Sequence, residues 1–218
     1  MTTVTEAVLS RRSIRSFLDR PVDNELIKVL IEKSSLSPSG GNLQPWQIYI
    51  INNESMSSFH EFQKRWSESE HPEYPIYPEK LKEPYRTSRY EVGEQIYSSI
   101  NIKREDKVAR VNQMLKNFDF FNAPAALFCF IDKQMSLPQW SDLGMFLQTF
   151  MLLAQESNLD TCAQESWSLK QKMVSRFVKA DQDSMLFCGI SIGYKDKEAP
   201  INQFKRTRRP IDEWAKFI

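Results

Sequence analysis

The segment Arg11-Arg12-Ser13-Ile14-Arg15-Ser16-Phe17 places three arginines and two serines within six residues. A guanidinium keeps its charge at physiological pH, and its planar fork matches the oxygens of a phosphate group. Serine hydroxyls add further hydrogen-bond donors. The apolar side chains of Ile14 and Phe17 indicate that part of the segment packs inward. We therefore interpret it as a candidate phosphate-binding segment, the alternative being an ordinary solvated basic surface.

Two further stretches extend this pattern along the chain. The first is a turn-forming sequence, Ser37-Pro38-Ser39-Gly40-Gly41-Asn42-Leu43-Gln44-Pro45-Trp46, and the second is a basic cluster near the far end, Lys205-Arg206-Thr207-Arg208-Arg209-Pro210. Each stretch alone is a weak signal, because a polar loop or a basic run needs no ligand. In this order and at this spacing, the three stretches resemble the FMN-dependent nitroreductase family over nearly the whole chain.

Composition is typical of a folded globular protein. The 218 residues are 41% hydrophobic and 26% charged, and they include 14 Phe, 7 Tyr and 5 Trp. This length is enough for one large core, and the many aromatic residues argue against disorder. We find no linker or repeat and predict a single domain spanning residues 1–218. The net charge of +1 makes the basic clusters local features, so we do not expect a nucleic-acid partner.

Several other functional classes lack support in the sequence. We find neither a G-x-G-x-x-G dinucleotide fingerprint nor a G-x-x-x-x-G-K-[ST] phosphate loop, and we expect no nucleophile elbow. His60 and His71 do not have metal-ligand spacing, so no metal site is predicted. The three cysteines, Cys129, Cys162 and Cys188, are widely spaced and suggest no disulfide framework. With no secretory signal and no apolar run long enough to span a membrane, we expect a cytoplasmic protein without a membrane partner.

The apolar pattern predicts strands separated by helices. Strands are predicted at 47–51, 125–131, 159–163 and 184–193, and helices at 3–10, 24–36, 54–70, 88–117 with a break near Asn101, 138–157, 168–178 and 212–214. This order indicates an α+β protein with a central mixed sheet flanked by helices. The resemblance implies a nitroreductase-like fold with a mostly antiparallel sheet. It also implies a domain-swapped homodimer with a C-terminal extension.

Two regions allow more than one interpretation. The proline-rich stretch at 72–85 excludes regular structure and is either a polyproline-type ligand or, as we prefer, an aromatic-lined excursion of the domain. The nearly all-apolar helix at 138–157 suits a core or a subunit interface. Phe120, Phe121, Trp140 and the tyrosines of 74–85 are candidates for a substrate-pocket wall, with ordinary core packing as the alternative.

The resemblance also implies which residues contact FMN. The first segment, which would bind the phosphate, the ribityl chain and the pyrimidine edge, contributes Arg11, Arg12, Ser13 and Arg15. The loop supplied by the opposite subunit contributes Pro38, Ser39, Gly40 and Asn42, with Gly40 acting through its backbone. The segment Gln164-Glu165-Ser166 would place a backbone N–H near the flavin N5. Arg206 and Arg208 would complete the phosphate site, with Lys205 as the alternative to Arg206.

Within the family, the chain resembles the nitrobenzoate-reductase-like branch. This resemblance is carried by residues 77–110 and by Cys162-Ala163-Gln164-Glu165-Ser166-Trp167. It implies that NADH or NADPH reduces a nitroaromatic compound or quinone through FMN, by ping-pong hydride transfer. A cofactor that carries the chemistry requires no catalytic side chain. The alternatives are a flavin-binding or sensing module without turnover, and a relative that destroys flavin or removes halogen from aromatic substrates.

Overall fold

In a computed structural model, residues 2–218 are described, and they form four β-strands, seven α-helices and five short 3-10 helices. The strands are Gln47–Asn52 (β1), Ala125–Asp132 (β2), Asp160–Gln164 (β3) and Ser184–Gly193 (β4). The α-helices are Val4–Ser10 (α1), Asn24–Ser34 (α2), Glu54–Arg65 (α3), Tyr85–Ser99 (α4), Lys107–Leu115 (α5), Leu137–Glu156 (α6) and Gln171–Val178 (α7). The 3-10 helices are Gly40–Asn42, Lys116–Asn122, Glu165–Lys170, Pro200–Asn202 and Ile211–Glu213.

The four strands form one sheet in the order β1-β2-β4-β3, and each pair of neighbours is antiparallel. A single parallel bridge joins Ser13 to Thr161 beside this sheet. The predicted central, mostly antiparallel sheet is therefore confirmed, and each strand lies within one residue of its predicted limits. Within residues 2–218, every helix is too short or too polar to cross a bilayer.

The central strand β2 is buried on both faces, as its uninterrupted apolar run predicts. Its even-numbered residues from Ala126 to Phe130 join one core cluster, and its odd-numbered residues join the other. Between Cys129 and Phe130 the register with β4 shifts by one residue. Because of this β-bulge, Leu186 and Cys188 belong to opposite cores although they are two positions apart.

Helices cover both faces of the sheet. On one face, α2 and α6 contribute apolar side chains such as Leu30, Phe146 and Phe150. On the other face, α3, α7 and the 3-10 helix at Glu165–Lys170 surround an aromatic cluster that includes Phe59 and Trp167. The sheet is thus the middle layer of three, and its ends remain free to carry functional residues.

Helix α3 ends at Arg65 and not at residue 70, because Trp66 adopts an extended backbone and the residues after it are irregular until α4 begins at Tyr85. The carboxylate of Glu70 accepts hydrogen bonds from the backbone N–H groups of Lys172 and Met173 at the start of α7, at 3.0 Å each. The hydroxyl of Tyr74 donates to the carbonyl of Phe187. The first part of the proline-rich stretch is therefore an excursion anchored on its own domain.

Phe120 and Phe121 are core residues, so the alternative interpretation, ordinary core packing, holds for these two pocket-wall candidates. They are 0% and 3% exposed, and the ring of Phe120 stacks on Trp167 with centroids 4.4 Å apart. Their backbones adopt φ values of +47° and +55°, which turn both side chains inward. Trp140 packs edge-on against Tyr74 and Phe187. The predicted break near Asn101 is confirmed, since Asn101 itself has a φ of +57°.

Candidate functional site

The arginine segment, residues 11–17, runs beside β3, which is an edge strand of the sheet. The N–H of Ile14 donates to the carbonyl of Thr161 in β3 at 3.0 Å, and the N–H of Leu18 donates to the carbonyl of Tyr194 at 2.8 Å. Ile14 and Phe17 are buried, at 1% and 7% exposure. These contacts hold the backbone in place with Ile14 and Phe17 packed inward, as the sequence predicts.

The C-terminal part of the chain is clamped onto this segment by hydrogen bonds. The side chain of Asn202 accepts from the N–H of Arg15 and donates to the carbonyl of Ser16, at 2.8 Å each. A guanidinium N–H of Arg12 donates to the carbonyl of Phe204 at 2.8 Å. Residues almost 190 positions apart in the sequence are thereby brought into one site.

Between the two segments lies a cavity of about 170 Å³, called here the arginine cavity. Its lining includes all six side chains that were assigned from the two basic segments, namely Arg11, Arg12, Ser13, Arg15, Arg206 and Arg208. Val92, Ile201, Asn202 and Phe204 complete the lining, so none of the described residues around the cavity is acidic. Lys205 is exposed and does not line the cavity, which favours the register with Arg206.

The charge of this cavity is not balanced by the protein. Burial lowers the pKa of the Arg11 guanidinium, and the nearby charges of Arg206 and Arg208 lower it further. Within residues 2–218, no carboxylate lies within ion-pair distance of the cavity arginines, although several arginines elsewhere pair with glutamates. Mutually repelling, partly buried cations with no acidic partner form a site whose charge is complementary to an anion.

Arg206 also has a structural role that the sequence did not reveal. Its guanidinium donates to the carbonyls of Val8, Leu9 and Arg11, at the C-terminal end of α1. A cation at this position satisfies orphan carbonyls and complements the helix dipole. Arg208, in contrast, is exposed, and among residues 2–218 its guanidinium donates only to the neighbouring Thr207 carbonyl. The two predicted phosphate-binding arginines therefore differ in how many of their hydrogen-bond donors are already used within the protein.

The loop at 38–42 does not line the arginine cavity of its own chain. It is fastened instead to the start of α6, where the N–H of Gly40 donates to the buried carboxylate of Asp142 at 3.2 Å. The hydroxyl of Ser39 accepts from the N–H of Gln44 at 3.0 Å, and Pro38 and Asn42 are exposed. The structure therefore does not bring these predicted residues together with the arginines within one chain.

Gln164 is buried with its side chain fully used inside the protein. Its amide nitrogen donates to the carbonyl of Asn117 at 2.7 Å, and its amide oxygen accepts from the hydroxyl of Ser191 at 2.6 Å. Any contact of Gln164 with a ligand is thus limited to its backbone. The neighbouring Glu165 reaches solvent, yet partial burial of its carboxyl group raises its pKa. Ser166, which follows, is half-buried.

The sequence Gly189-Ile190-Ser191-Ile192-Gly193 has the spacing G-x-S-x-G, but it is not a nucleophile elbow. It lies along β4 rather than at a strand-to-helix turn. The hydroxyl of Ser191 is completely buried and donates to Gln164. Gly189 is needed for packing, since a Cβ there would lie 2.4 Å from the Trp167 ring. A Cβ on Gly193 would lie 2.8 Å from the Pro124 ring, so both glycines are needed for close packing.

A second and larger hollow, called here the α4 groove, adjoins the arginine cavity. It encloses about 960 Å³ between residues 77–92 and residues 206–213, and it shares Val92, Arg206 and Arg208 with the cavity. Tyr77 and Tyr85 line it, so part of the proline-rich stretch does provide an aromatic wall. The sequence signal for this wall was the set of tyrosines in 74–85, whereas the arginines after them, Arg86 and Arg89, were not interpreted.

Comparison with known proteins gives concordant matches. Residues 8–194 match the sequence profile of the Nitroreductase family. The chain is 31% identical to the nitrobenzene nitroreductase of Ectopseudomonas oleovorans, over 99% of this chain and 96% of that protein. It is 32% identical to the 4-nitrobenzoate reductase of Pseudomonas putida, over 97% and 93%. It resembles the crystal structure of the FMN and NADPH-dependent nitroreductase NfnB from Sphigopyxis sp. strain HMH, with a TM-score of 0.92 and 39% identity over 99% of each chain.

Proposed function

Because the chain belongs to the nitroreductase family, we propose that it is an FMN-dependent oxidoreductase that uses NADH or NADPH to reduce nitroaromatic compounds or quinones. Relatives that act on nitrobenzene and 4-nitrobenzoate match nearly its whole length. A structure with 39% identity, described as FMN and NADPH-dependent, shares its fold. The substrate class therefore follows the branch to which the sequence is similar.

The single observation that carries this proposal is the uncompensated positive charge of the arginine cavity. Its guanidiniums and hydroxyl fit the phosphate of FMN in chemistry, since phosphate oxygens accept charge-assisted hydrogen bonds from several donors at once. At about 170 Å³ the cavity is smaller than the roughly 300–1,000 Å³ typical of whole-ligand pockets. It would therefore hold the phosphate end and part of the ribityl chain, while the ring system extends beyond it.

The proposed FMN site has two groups of residues. The phosphate and the adjacent polar part of FMN are bound by Arg11, Arg12, Ser13, Arg15, Arg206 and Arg208. The backbone groups near the flavin N5 belong to Gln164, Glu165 and Ser166. When bound, FMN supplies the hydride relay between NAD(P)H and the oxidising substrate. The chain's own residues bind and orient the cofactor, and no side chain is assigned a catalytic step.

We also propose that the active form is a homodimer in which Pro38, Ser39, Gly40 and Asn42 contact the FMN of the partner subunit. Large apolar side chains that a single chain leaves in water support this, including Leu9 on α1 and Leu137 on α6, at 68% and 85% exposure. The end of the tail, where Phe217 is 96% exposed, is the segment expected to pack on the partner.

We propose further that residues 1–218 act as one domain and that the protein is cytoplasmic. The two core clusters share the strands of one sheet, which supports a single folding unit. Cys129, Cys162 and Cys188 are free and buried, and a protein of a reducing compartment needs no more from them than packing. Neither a nucleic acid nor a membrane is a proposed partner.

The test begins with the visible absorbance spectrum of the purified protein and chromatographic identification of the released pigment. We expect a flavin spectrum and FMN. Anaerobic addition of NADH or NADPH should bleach the flavin, and 4-nitrobenzoate or a benzoquinone should restore its absorbance. A colourless protein that takes up no added FMN would overturn the proposal. A bound flavin that NAD(P)H does not bleach would favour a sensing module instead.

A further inference from the structure

We propose that the α4 groove binds the adenosine 2′-phosphate end of NADPH, which makes the protein prefer NADPH to NADH. This inference rests on the proposed function and adds to it a location and a choice between the two nicotinamide cofactors. The groove has three properties that this ligand requires: unpaired positive charge, exposed aromatic rings and room continuous with the arginine cavity.

Positive charge in the groove is only partly balanced. Four arginines line it, against two glutamates, Glu91 and Glu213. Glu213 approaches Arg209 to 3.7 Å, whereas no carboxylate within residues 2–218 lies within ion-pair distance of Arg89. Arg86, one turn earlier on α4, pairs with Glu83 at 2.6 Å and does not line the groove. The guanidinium that remains free for a dianion is therefore the one that faces the groove.

Aromatic rings line the same groove beside these arginines. The guanidinium of Arg89 lies 4.1 Å from the ring centroid of Tyr77, and that of Arg209 lies 5.7 Å from the ring centroid of Tyr85. The two tyrosines are 47% and 60% exposed. A purine base stacks favourably on a tyrosine ring or on a guanidinium plane. The exposed tyrosine rings thus offer a flat surface for the base, and the guanidinium of Arg89 offers a charge for the 2′-phosphate.

Size and position favour a nucleotide over a smaller anion. The groove encloses about 960 Å³, far more than a single substituted benzene ring fills, so a nitrobenzoate substrate alone does not explain it. Its shared wall of Val92, Arg206 and Arg208 makes it continuous with the arginine cavity. A dinucleotide whose nicotinamide end meets the flavin has to place its adenosine elsewhere on the surface, and this groove is adjacent.

The experiment is a calorimetric titration of the full-length purified protein with adenosine 2′,5′-bisphosphate and, separately, with adenosine 5′-monophosphate. We expect the bisphosphate to bind at least tenfold more tightly. Arg89→Ala should weaken bisphosphate binding about tenfold, leave monophosphate binding and FMN content unchanged, and raise KM for NADPH but not for NADH. Arg89→Lys should restore part of the affinity. Arg86→Ala is the matched control on the same helix and should change none of these values.

Three outcomes would overturn the inference. Equal binding of the two nucleotides by the wild-type protein would mean that the groove does not recognise a 2′-phosphate. An equal rise in both KM values would mean that Arg89 contacts something common to NADH and NADPH. A changed oligomeric state in Arg89→Ala, measured by light scattering, with unchanged affinity would assign the groove to a second copy of the chain. A colourless protein refutes the proposed function alone, because the bisphosphate titration can still be read without flavin.

Discussion

Arg110 and the arginines of the arginine cavity have opposite electrostatic surroundings. On α5, the guanidinium of Arg110 donates two hydrogen bonds to the carboxylate of Glu94 on α4, at 2.8 and 3.1 Å. In the arginine cavity, Arg11 has the positive charges of Arg206 and Arg208 as neighbours, and the described residues that line the cavity include no carboxylate. The protein itself thus balances the charge of Arg110, whereas the charge of the arginine cavity is left for a ligand to balance.

The directions of the pKa shifts express this difference. Mutual hydrogen bonding lowers the pKa of Glu94 and raises that of Arg110, so each charge is favoured by the other. Burial and like charges lower the pKa of Arg11, so its charge is disfavoured by its surroundings. Groups that reduce the stability of the free protein are retained where binding needs them, which is why unpaired charge indicates function better than paired charge.

The largest effect that we expect comes from removing an unpaired arginine. Arg11→Ala should weaken FMN binding by about 10- to 100-fold, because a partly buried phosphate loses a charge-assisted partner worth about 1.5–3 kcal/mol. Fluorescence titration of the apoprotein with FMN measures this. The melting temperature of the apoprotein should stay the same or rise, because repulsion with Arg206 and Arg208 is relieved. Unchanged FMN affinity would remove the arginine segment from the site.

An intermediate effect separates the two C-terminal arginines. Arg206→Ala should lower the free energy of unfolding of the apoprotein by about 1–2 kcal/mol, because the carbonyls at the end of α1 lose their charged donor. Arg208→Ala has no such contact and serves as the control, weakening FMN binding without loss of apoprotein stability. Urea denaturation of both apo variants measures the difference. Equal stability of the two variants would contradict the capping role of Arg206.

The smallest effect belongs to the paired arginine. Arg110→Ala should leave FMN affinity unchanged and lower the melting temperature less than Arg206→Ala does, because the pair with Glu94 is partly solvated. The pKa of Glu94 is lowered in the folded state, so the pair stabilises the protein above the ordinary pKa of 4.5 and ceases to do so as the pH falls through the lowered value. Melting curves at neutral and strongly acidic pH should show the difference between variant and wild type disappearing in acid. Loss of FMN from this variant would mean that the two groups of arginines are not independent.

Much of the fold could be predicted because local patterns decide it. The run of apolar residues in β2 and Pro138 at the start of α6 each specify their element without help from distant residues. What the sequence did not predict depends on long-range contacts. The end of α3 at Arg65 is set by Glu70 binding the start of α7, about 100 residues later. The inward turn of Phe120 depends on packing against Trp167, which periodicity does not encode.

The candidate site also has parts that the sequence could predict and parts that it could not. The two basic segments could be identified by composition and order, and the structure does bring Arg12 and Arg208 to one cavity. The capping role of Arg206 could not be foreseen, because it requires knowing where α1 ends relative to the tail. The loop at 38–42 could be assigned only by resemblance, since its contact would involve a second chain. The tyrosines of 74–85 were predicted as wall residues, but the α4 groove that Tyr77 and Tyr85 line could not be foreseen, because it exists only where the tail passes α4.

The hydrogen bonds between residues 12–16 and residues 202–204 have a consequence for biosynthesis. The two walls of the arginine cavity are 186 to 192 residues apart in the sequence. During translation, the cationic side chains of the first wall are therefore made well before those of the second and stay open to the solvent in the meantime. Binding of a ligand between the two walls can begin only after the second wall has been synthesised.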